Sequence, residues 1–365
     1  MKILFVSGNM CNGGAQRVIA NVSNSLAEKG YDIRLLLFSR NEKEYPISDK
    51  VKITALGKTF EEYSQISSLS RMKLIRNYLK ETKPDVAVGF LEGGYALFLS
   101  SFGLRMKKVS SARINPQHIM TAKGLRAEIN RRWFFSSDAV VLQTASQKEY
   151  VPEKIKRKSV IIANPVPQYV LEGKCESYNE KCRNLIMVGR LDEQKNYPMA
   201  FRAIQIVKKQ YPDVHLDVFG KGVLDEELSR MLEEMELTEN VSMCGWTQNT
   251  LEEYRKHDMF LMTSDMEGMP NALMEAMAVG LPCVSTDCET GPADLIEDGI
   301  NGYLVPVNDH ELLAEKIIKF MEMTFEERFD IAQKAHRTIS EKFNIEIITA
   351  KWEKVFKDLT GEKRR

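Results

Sequence analysis

The feature that most constrains this chain is a recurrence of short apolar runs separated by stretches with helical periodicity. Ile3–Val6, Ile33–Phe38, Val86–Leu91, Val140–Leu142, Val160–Ile162, Leu185–Val188, Met259–Met262 and Cys283–Ser285 are of this kind. Runs that are apolar at consecutive positions suit strands buried on both faces, and the segments between them are long enough for crossover helices. The pattern is therefore α/β with parallel sheets. It is interrupted between Asn164 and Arg183, where NPVPQY leads into the polar EGKCESYNEKCR, and a second βα series begins at Leu185. The reading is two doubly wound, Rossmann-like domains in tandem, 1–165 and 184–344, with 166–183 as linker and a cleft between the domains. A length of 365 residues is enough for two such cores. The last periodic segment, Glu346 to Leu359, sets Ile347, Ile348, Trp352, Val355 and Phe356 at helical spacing. It is too apolar to float free, and a helix over 345–365 is expected to pack back on the first domain.

Composition removes other classes. With 43% hydrophobic and 28% charged residues, the chain is neither a disordered tail, a collagen-like repeat nor a coiled coil. The longest uncharged stretch, Ile3 to Gln16, is broken by Gly8, Asn9 and Asn12 and is shorter than the ~18 apolar residues a spanning helix needs. The N-terminus does not read as a secretory signal, so a cytoplasmic location is expected. Six cysteines without a CxxC pair suit reduced thiols better than a disulfide frame or a zinc site. Charge is uneven. Residues 1–165 carry 27 basic and 14 acidic side chains, a net of +13, and the remainder carries −13. The basic half is the one expected to meet an anionic surface or ligand, and no nucleic-acid partner is expected.

The first glycine loop, SGNMCNGGAQR, follows the first strand and places Gly13 and Gly14 at the start of a helix. A helix N-terminus offers N–H groups and a positive dipole end to an anion, and glycine lets a ligand approach the backbone. The loop lacks the Lys and Ser/Thr of a P-loop and the spacing of a dinucleotide fingerprint. A tight turn without a ligand explains it as well. After Leu185–Val188 comes GRLDEQKN, which sets Arg190 and Lys195 at a strand's carboxyl end. A planar fork and a mobile point charge suit a diphosphate there; surface pairing with Asp192 or Glu193 is the plainer alternative. The stronger motif is SDMEGMPNALMEAMAVGLP. Glu267 and Gly268 lie in its loop, the amides of Met269, Asn271 and Ala272 are placed to face a phosphate at a helix start, and Glu275 can accept both hydroxyls of a ribose. The plainer reading, that both glutamates merely complement a helix N-terminus, leaves their coincidence with the loop unexplained. Gly220, in the GKG that ends another strand, is a weaker signal.

GGAQR, GRLDEQKN, EGMPNALMEAMAVGLP, DCETGPADLIEDGINGYLVP and the closing KW together resemble the retaining glycosyltransferases of family 4, with the GT-B fold, over nearly the whole chain. The likeness is greatest to the branch that builds bacterial surface polysaccharides and lipid-linked glycans. It implies that Glu267 lies against the donor sugar and Glu275 against the nucleotide ribose, that Arg190 and Lys195 hold the diphosphate, that Gly14 admits the donor, and that Trp246 belongs to the loop bordering the base. Many members carry a histidine after a first-domain strand. Here the segment reads SARINPQH, and Arg113 is assigned to the active cleft, with Asn115 and His118 as alternatives. The resemblance implies a nucleotide sugar, most readily a UDP-sugar, as donor, a glycan or polyprenyl-diphosphate-linked glycan as acceptor, and neither a metal nor another cofactor. Asp265-x-Glu267 and Asp287-x-Glu289 are accordingly not read as a metal clamp. A nucleotide-sugar epimerase on the same fold, or an inactive binding module, are the competing readings. In the first domain RMKK (105–108), KIKRK (154–158) and KGLRAEINRRWFF (123–135) mix basic residues with Trp133, Phe134 and Phe135, a pattern expected to attach peripherally to an anionic membrane, with aromatics in the core under an ordinary solvated charged face as the plainer alternative.

Overall fold

A computed structural model describes residues 1–11, 13–41, 44–90, 92–175 and 181–362. Leu91, 176–180 of the expected linker and 363–365 of the expected last helix lie outside the described residues. The chain divides into two compact units, Met1–Pro165 with Ile345–Arg365, and Val166–Asn344.

The first unit is built on β1 (Lys2–Ser7), β2 (Asp32–Ser39), β3 (Lys52–Gly57), β4 (Val86–Phe90), β5 (Lys107–Ser111), β6 (Ala139–Leu142) and β7 (Ser159–Ile161). They form one parallel sheet in the order β3-β2-β1-β4-β5-β6-β7. Every residue of β4 and β6 is buried, as consecutive apolar residues require when helices cover both faces. The helix Ile345–Thr360 lies on this unit through Trp352 and Phe356. Their rings meet Phe5 at 6.4 Å each, and Trp352 stacks on Phe90 at 6.1 Å. Glu353 of the same helix accepts from Lys29 and from the Tyr31 hydroxyl.

The second unit holds β8 (Asn184–Val188), β9 (His215–Phe219), β10 (Val241–Gly245), β11 (Met259–Met262), β12 (Cys283–Thr286) and β13 (Tyr303–Val305), parallel in the order β10-β9-β8-β11-β12-β13. Strand order reverses at β8/β11 here and at β1/β4 in the first unit, and the crevice beyond such a switch point is where open α/β sheets take ligands. The segment after Pro165 packs within the second unit. Val166 bridges to Asn344, a helix runs over Gln168–Glu172, and the Cys175 amide donates to the Val279 carbonyl at 2.8 Å.

Of the two readings of the basic and aromatic segment, core packing holds for its aromatics. Trp133 and Phe134 are 1% and 5% exposed, so they are core residues and not a membrane anchor. In the helix Leu125–Ser136 the aromatics turn inward, and Trp133 presses on Gly94, where a Cβ would come within 2.7 Å of the indole. The charges take the other side. Glu128 pairs with Arg131 and Arg132, while Lys158 donates to the Phe135 and Ser137 carbonyls. Alternation of inward rings and outward charges is ordinary amphipathicity, which the basic count alone disguised.

Candidate active site

The loops after β8 and β11 meet at the switch point of the second unit. The loop after β8 is stitched to its neighbour by Gln194, which donates to the Met266 carbonyl at 2.8 Å and accepts the Asp265 amide on its own carbonyl at 2.9 Å. Asn196, in the left-handed region at φ 44°, donates to Asp265 Oδ1 at 2.7 Å and Asn308 Oδ1 at 2.8 Å. The Thr263 hydroxyl donates to the Lys195 carbonyl at 2.9 Å. These contacts fix the backbone on either side of the two residues singled out by the sequence.

Lys195 Nζ lies 2.5 Å from Glu267 Oε1, with the two side chains 17% and 9% exposed. The Glu267 carbonyl in turn accepts from the Thr290 hydroxyl. Asp265 and Glu267 are thus both engaged by N–H donors, which bears on their reading as a metal clamp. Among the described residues no three His, Cys, Asp or Glu side chains gather as a metal site requires. Beside the pair, burial and the charges of Asp192 and Glu267 push the Tyr197 phenol above its ordinary value, and burial with Glu267 pushes the Cys288 thiol up to about 12. Both stay protonated at neutral pH. Arg190 is two-thirds exposed, held loosely by Asp192 at 3.1 Å and Gln194 at 3.3 Å, and so is free to turn to a ligand.

Beyond Glu267, the buried Gly268, Met269 and Pro270 lead into the helix Asn271–Val279. Pro270 is its capping residue and has no side chain able to cap, and a helix start is where an anion can be accepted. Asn271 and Ala272 are partly exposed at that start, and Glu275, one turn on, is buried at 6%. Gly220 has a packing reason to be glycine: a Cβ there would stand 1.9 Å from the Gly189 carbonyl oxygen. Its amide donates to the Gly245 carbonyl at 2.8 Å, so the ends of β8, β9 and β10 are tied in sequence, and Trp246 follows Gly245 with its ring 44% exposed.

The first unit holds the remaining candidates. Gly13 is the extended capping residue of the helix Gly14–Glu28, without a side-chain cap. Arg113 follows β5 and is 8% exposed. Its Nη1 donates to Asn164 Oδ1 at 2.9 Å, and its guanidinium lies 4.9 Å from the Phe90 ring and 5.7 Å from that of Trp352. Burial pushes its pKa down to about 9, which leaves it charged at neutral pH. Asn115 is a helix cap, accepting from the Gln117 amide at 3.0 Å, and His118 is exposed on that helix. Gln194, Asn196, Thr263 and Thr290 were missed by the sequence reading. Only the Gln and Asn inside GRLDEQKN carried a usable signal.

Residues 176–338 match the family described as glycosyl transferases group 1. Over nearly its full length the chain is similar to an uncharacterized glycosyltransferase of Haemophilus influenzae, 27% identical over 93% of this chain and 95% of that protein. It is likewise 27% identical to the amylovoran biosynthesis glycosyltransferase AmsD of Erwinia amylovora, over 96% and 97%. Among solved structures, Anabaena HepE in complex with UDP and glucose superposes with a TM-score of 0.81 at 16% identity, covering 97% of this chain and 99% of that one. Staphylococcus aureus TarM gives 0.77 at 16%, over 98% and 99%. No described helix is long and apolar enough to cross a membrane. With its two doubly wound parallel sheets and its full-length superposition on HepE, the chain has the GT-B fold, and residues 176–338, within its second unit, match the group 1 glycosyl transferases.

Proposed function

We propose that this glycosyltransferase moves a hexose or N-acetylhexosamine from a UDP-sugar to a glycan or polyprenyl-diphosphate-linked glycan of a bacterial polysaccharide or glycoconjugate, with retention at the anomeric carbon. The observation that carries the reading is the close Lys195 and Glu267 pair at the second unit's switch point, flanked by the exposed Arg190 and the start of the helix Asn271–Val279. A diphosphate arriving there finds a point charge, a planar fork and backbone amides, so charge developing on the departing phosphate is stabilised without a metal. That phosphate takes the acceptor proton. Glu267 orients the donor sugar, Glu275 takes the ribose hydroxyls, Gly268, Met269, Asn271 and Ala272 line the phosphates, Gly220 shapes the loop, and Trp246 borders the base. Gly13 and Gly14 in the first unit form the turn that lets the donor close on the backbone.

The relatives support the acceptor class. A Campylobacter jejuni protein 28% identical over 87% of this chain is named as an alpha-1,4-N-acetyl-D-galactosaminyltransferase acting on a diNAcBac-PP-undecaprenol-linked glycan, and AmsD is named for amylovoran biosynthesis. The first unit is assigned the acceptor and a peripheral, salt-sensitive attachment to the inner face of the cytoplasmic membrane. With Trp133 and Phe134 in the core, that attachment rests on the exposed Leu125, 78% exposed, and on the charges around it.

The test is incubation with UDP-, GDP- and dTDP-sugars and a lipid-diphosphate-linked acceptor, followed by nucleotide release and by the anomeric coupling of the product. Acceptor-dependent UDP release with an α-linked product from an α-linked donor is expected. Release of an epimerised free sugar, or no turnover with any donor, rejects the reading.

A further inference from the structure

Arg113 is buried among aromatic rings, yet no acidic group among the described residues pairs with it, and burial lowers its pKa. Among the described residues its side chain makes one hydrogen bond, from Nη1 to Asn164 Oδ1, which also accepts from Gln143 Nε2 at 2.9 Å. Nε and Nη2 are buried and have no hydrogen-bond partner among the described residues. These two nitrogens form the side of the guanidinium whose parallel N–H groups match two oxygens of one oxyanion. A buried charge is kept when it is paired, and a water molecule would satisfy the N–H groups without supplying the counter-charge. The position agrees. Arg113, Gln143 and Asn164 follow β5, β6 and β7, and Phe90 ends β4, so the group sits at the carboxyl edge of the seven-stranded sheet, where such folds take ligands.

We propose that Arg113 is the anchor of an oxyanion subsite in the first unit, taking two oxygens of an acceptor phosphate on Nε and Nη2, with Asn164 and Gln143 as positioning residues. The subsite stands on the first unit alone; the identity of the phosphate's owner, a lipid-linked diphosphate, rests on the proposed acceptor. A bound oxyanion also changes the field at Trp352, whose ring lies 5.7 Å from the guanidinium.

The experiment labels the intact protein with 5-fluorotryptophan and follows the resonances of Trp133, Trp246 and Trp352 during titration with inorganic pyrophosphate, farnesyl diphosphate and farnesol. A saturable shift of Trp352 with both diphosphates and none with farnesol is expected, with farnesyl diphosphate binding more tightly. Equal affinities assign the subsite to a free oxyanion. Arg113→Lys, which keeps the charge and loses the fork, should weaken binding about tenfold or more, and Lys195→Ala should leave it unchanged. Asn164→Asp gives a second reading that does not depend on the first variant folding: an internal carboxylate beside Nη1 should raise thermal stability while lowering anion affinity. A Trp352 signal that neither diphosphate moves, an Arg113→Lys protein that binds as wild type, a shift abolished by Lys195→Ala, or an Asn164→Asp protein with unaltered affinity overturns the proposal. Titration with UDP separates it from the reading of the second unit, since a silent Trp352 beside a responsive Trp246 removes the subsite and leaves the donor site standing.

Discussion

Lys195 and Arg190 are both assigned to the diphosphate, but removing them should have unequal consequences for folding. Lys195 is 17% exposed and 2.5 Å from a Glu267 carboxylate that is 9% exposed, so Lys195→Ala leaves a nearly buried anion without its cation. Breaking a buried pair from one side costs about 3–5 kcal/mol in fully desolvated cases; with some water still reaching the lysine, about 3 kcal/mol is expected here. At ~2–4 °C per kcal/mol for a unit of this size, that lowers Tm by about 6–12 °C. Arg190 is 66% exposed and only loosely paired with Asp192, so Arg190→Ala should stay within about 0.5 kcal/mol of wild type. Turnover should fall on the order of 100-fold for each variant, the usual scale for one electrostatic donor. Urea denaturation of wild type, both single variants, Lys195→Met, Glu267→Gln and the double variant Lys195→Met/Glu267→Gln closes the cycle. The double variant, which leaves no buried charge, should recover to within about 1 kcal/mol. Equal stabilities for Lys195→Ala and Arg190→Ala, or a double variant as unstable as the sum of its singles, would refute the reasoning.

Glu275→Gln should weaken UDP binding about tenfold with kcat little changed, and Glu267→Gln should lower kcat; calorimetric UDP affinity unaltered by Glu275→Gln sinks the ribose assignment. Gly220→Ala drives a Cβ to 1.9 Å from the Gly189 carbonyl oxygen and should cost about 2 kcal/mol or more, read as a lower Tm; an unchanged Tm refutes the packing reason. The hydrogen bond from His257 Nε2 at 3.0 Å holds the Asp217 carboxyl below its ordinary 3.8 despite burial that opposes it. A depressed folded-state pKa contributes stability above the unfolded value and loses it as pH falls through the folded one, so the gap in urea midpoint between wild type and Asp217→Asn should be full at neutral pH and shrink below about pH 4. A gap that is flat across that range excludes this linkage. Sedimentation with anionic liposomes should succeed at low salt and fail at high salt, and equal, negligible binding to anionic and neutral vesicles rejects the membrane assignment.

Most of the strands that sequence alone could locate are buried on both faces, the edge strand β7 being the exception. β4, VAVGF, is unbroken in its apolar character and fully buried, whereas β5, KKVSS, and β9, HLDVF, carry polar residues that only the finished sheet accommodates. The edge strands β3 and β10 are likewise partly polar because one side of each lacks a neighbour. At the site, residue types and spacing named Lys195, Glu267 and Arg190, but what distinguishes them physically was not legible. Lys195 and Glu267 are 72 positions apart in the chain, and their pairing follows from β8 and β11 being neighbours at the switch point. Trp133 shows the converse ambiguity, since a run of basic and aromatic residues describes both a membrane helix and a core helix with a charged outer face. The glycines at 89 and 94 that make room for its indole decide between them, and they lie some forty positions upstream. Arg113 was found through its place after a first-domain strand, but its chemistry is a tertiary property. Asn164 takes one end of the guanidinium and Phe90 and Trp352 bury it, which leaves the side suited to an oxyanion as the part of the residue without a hydrogen-bond partner among the described residues.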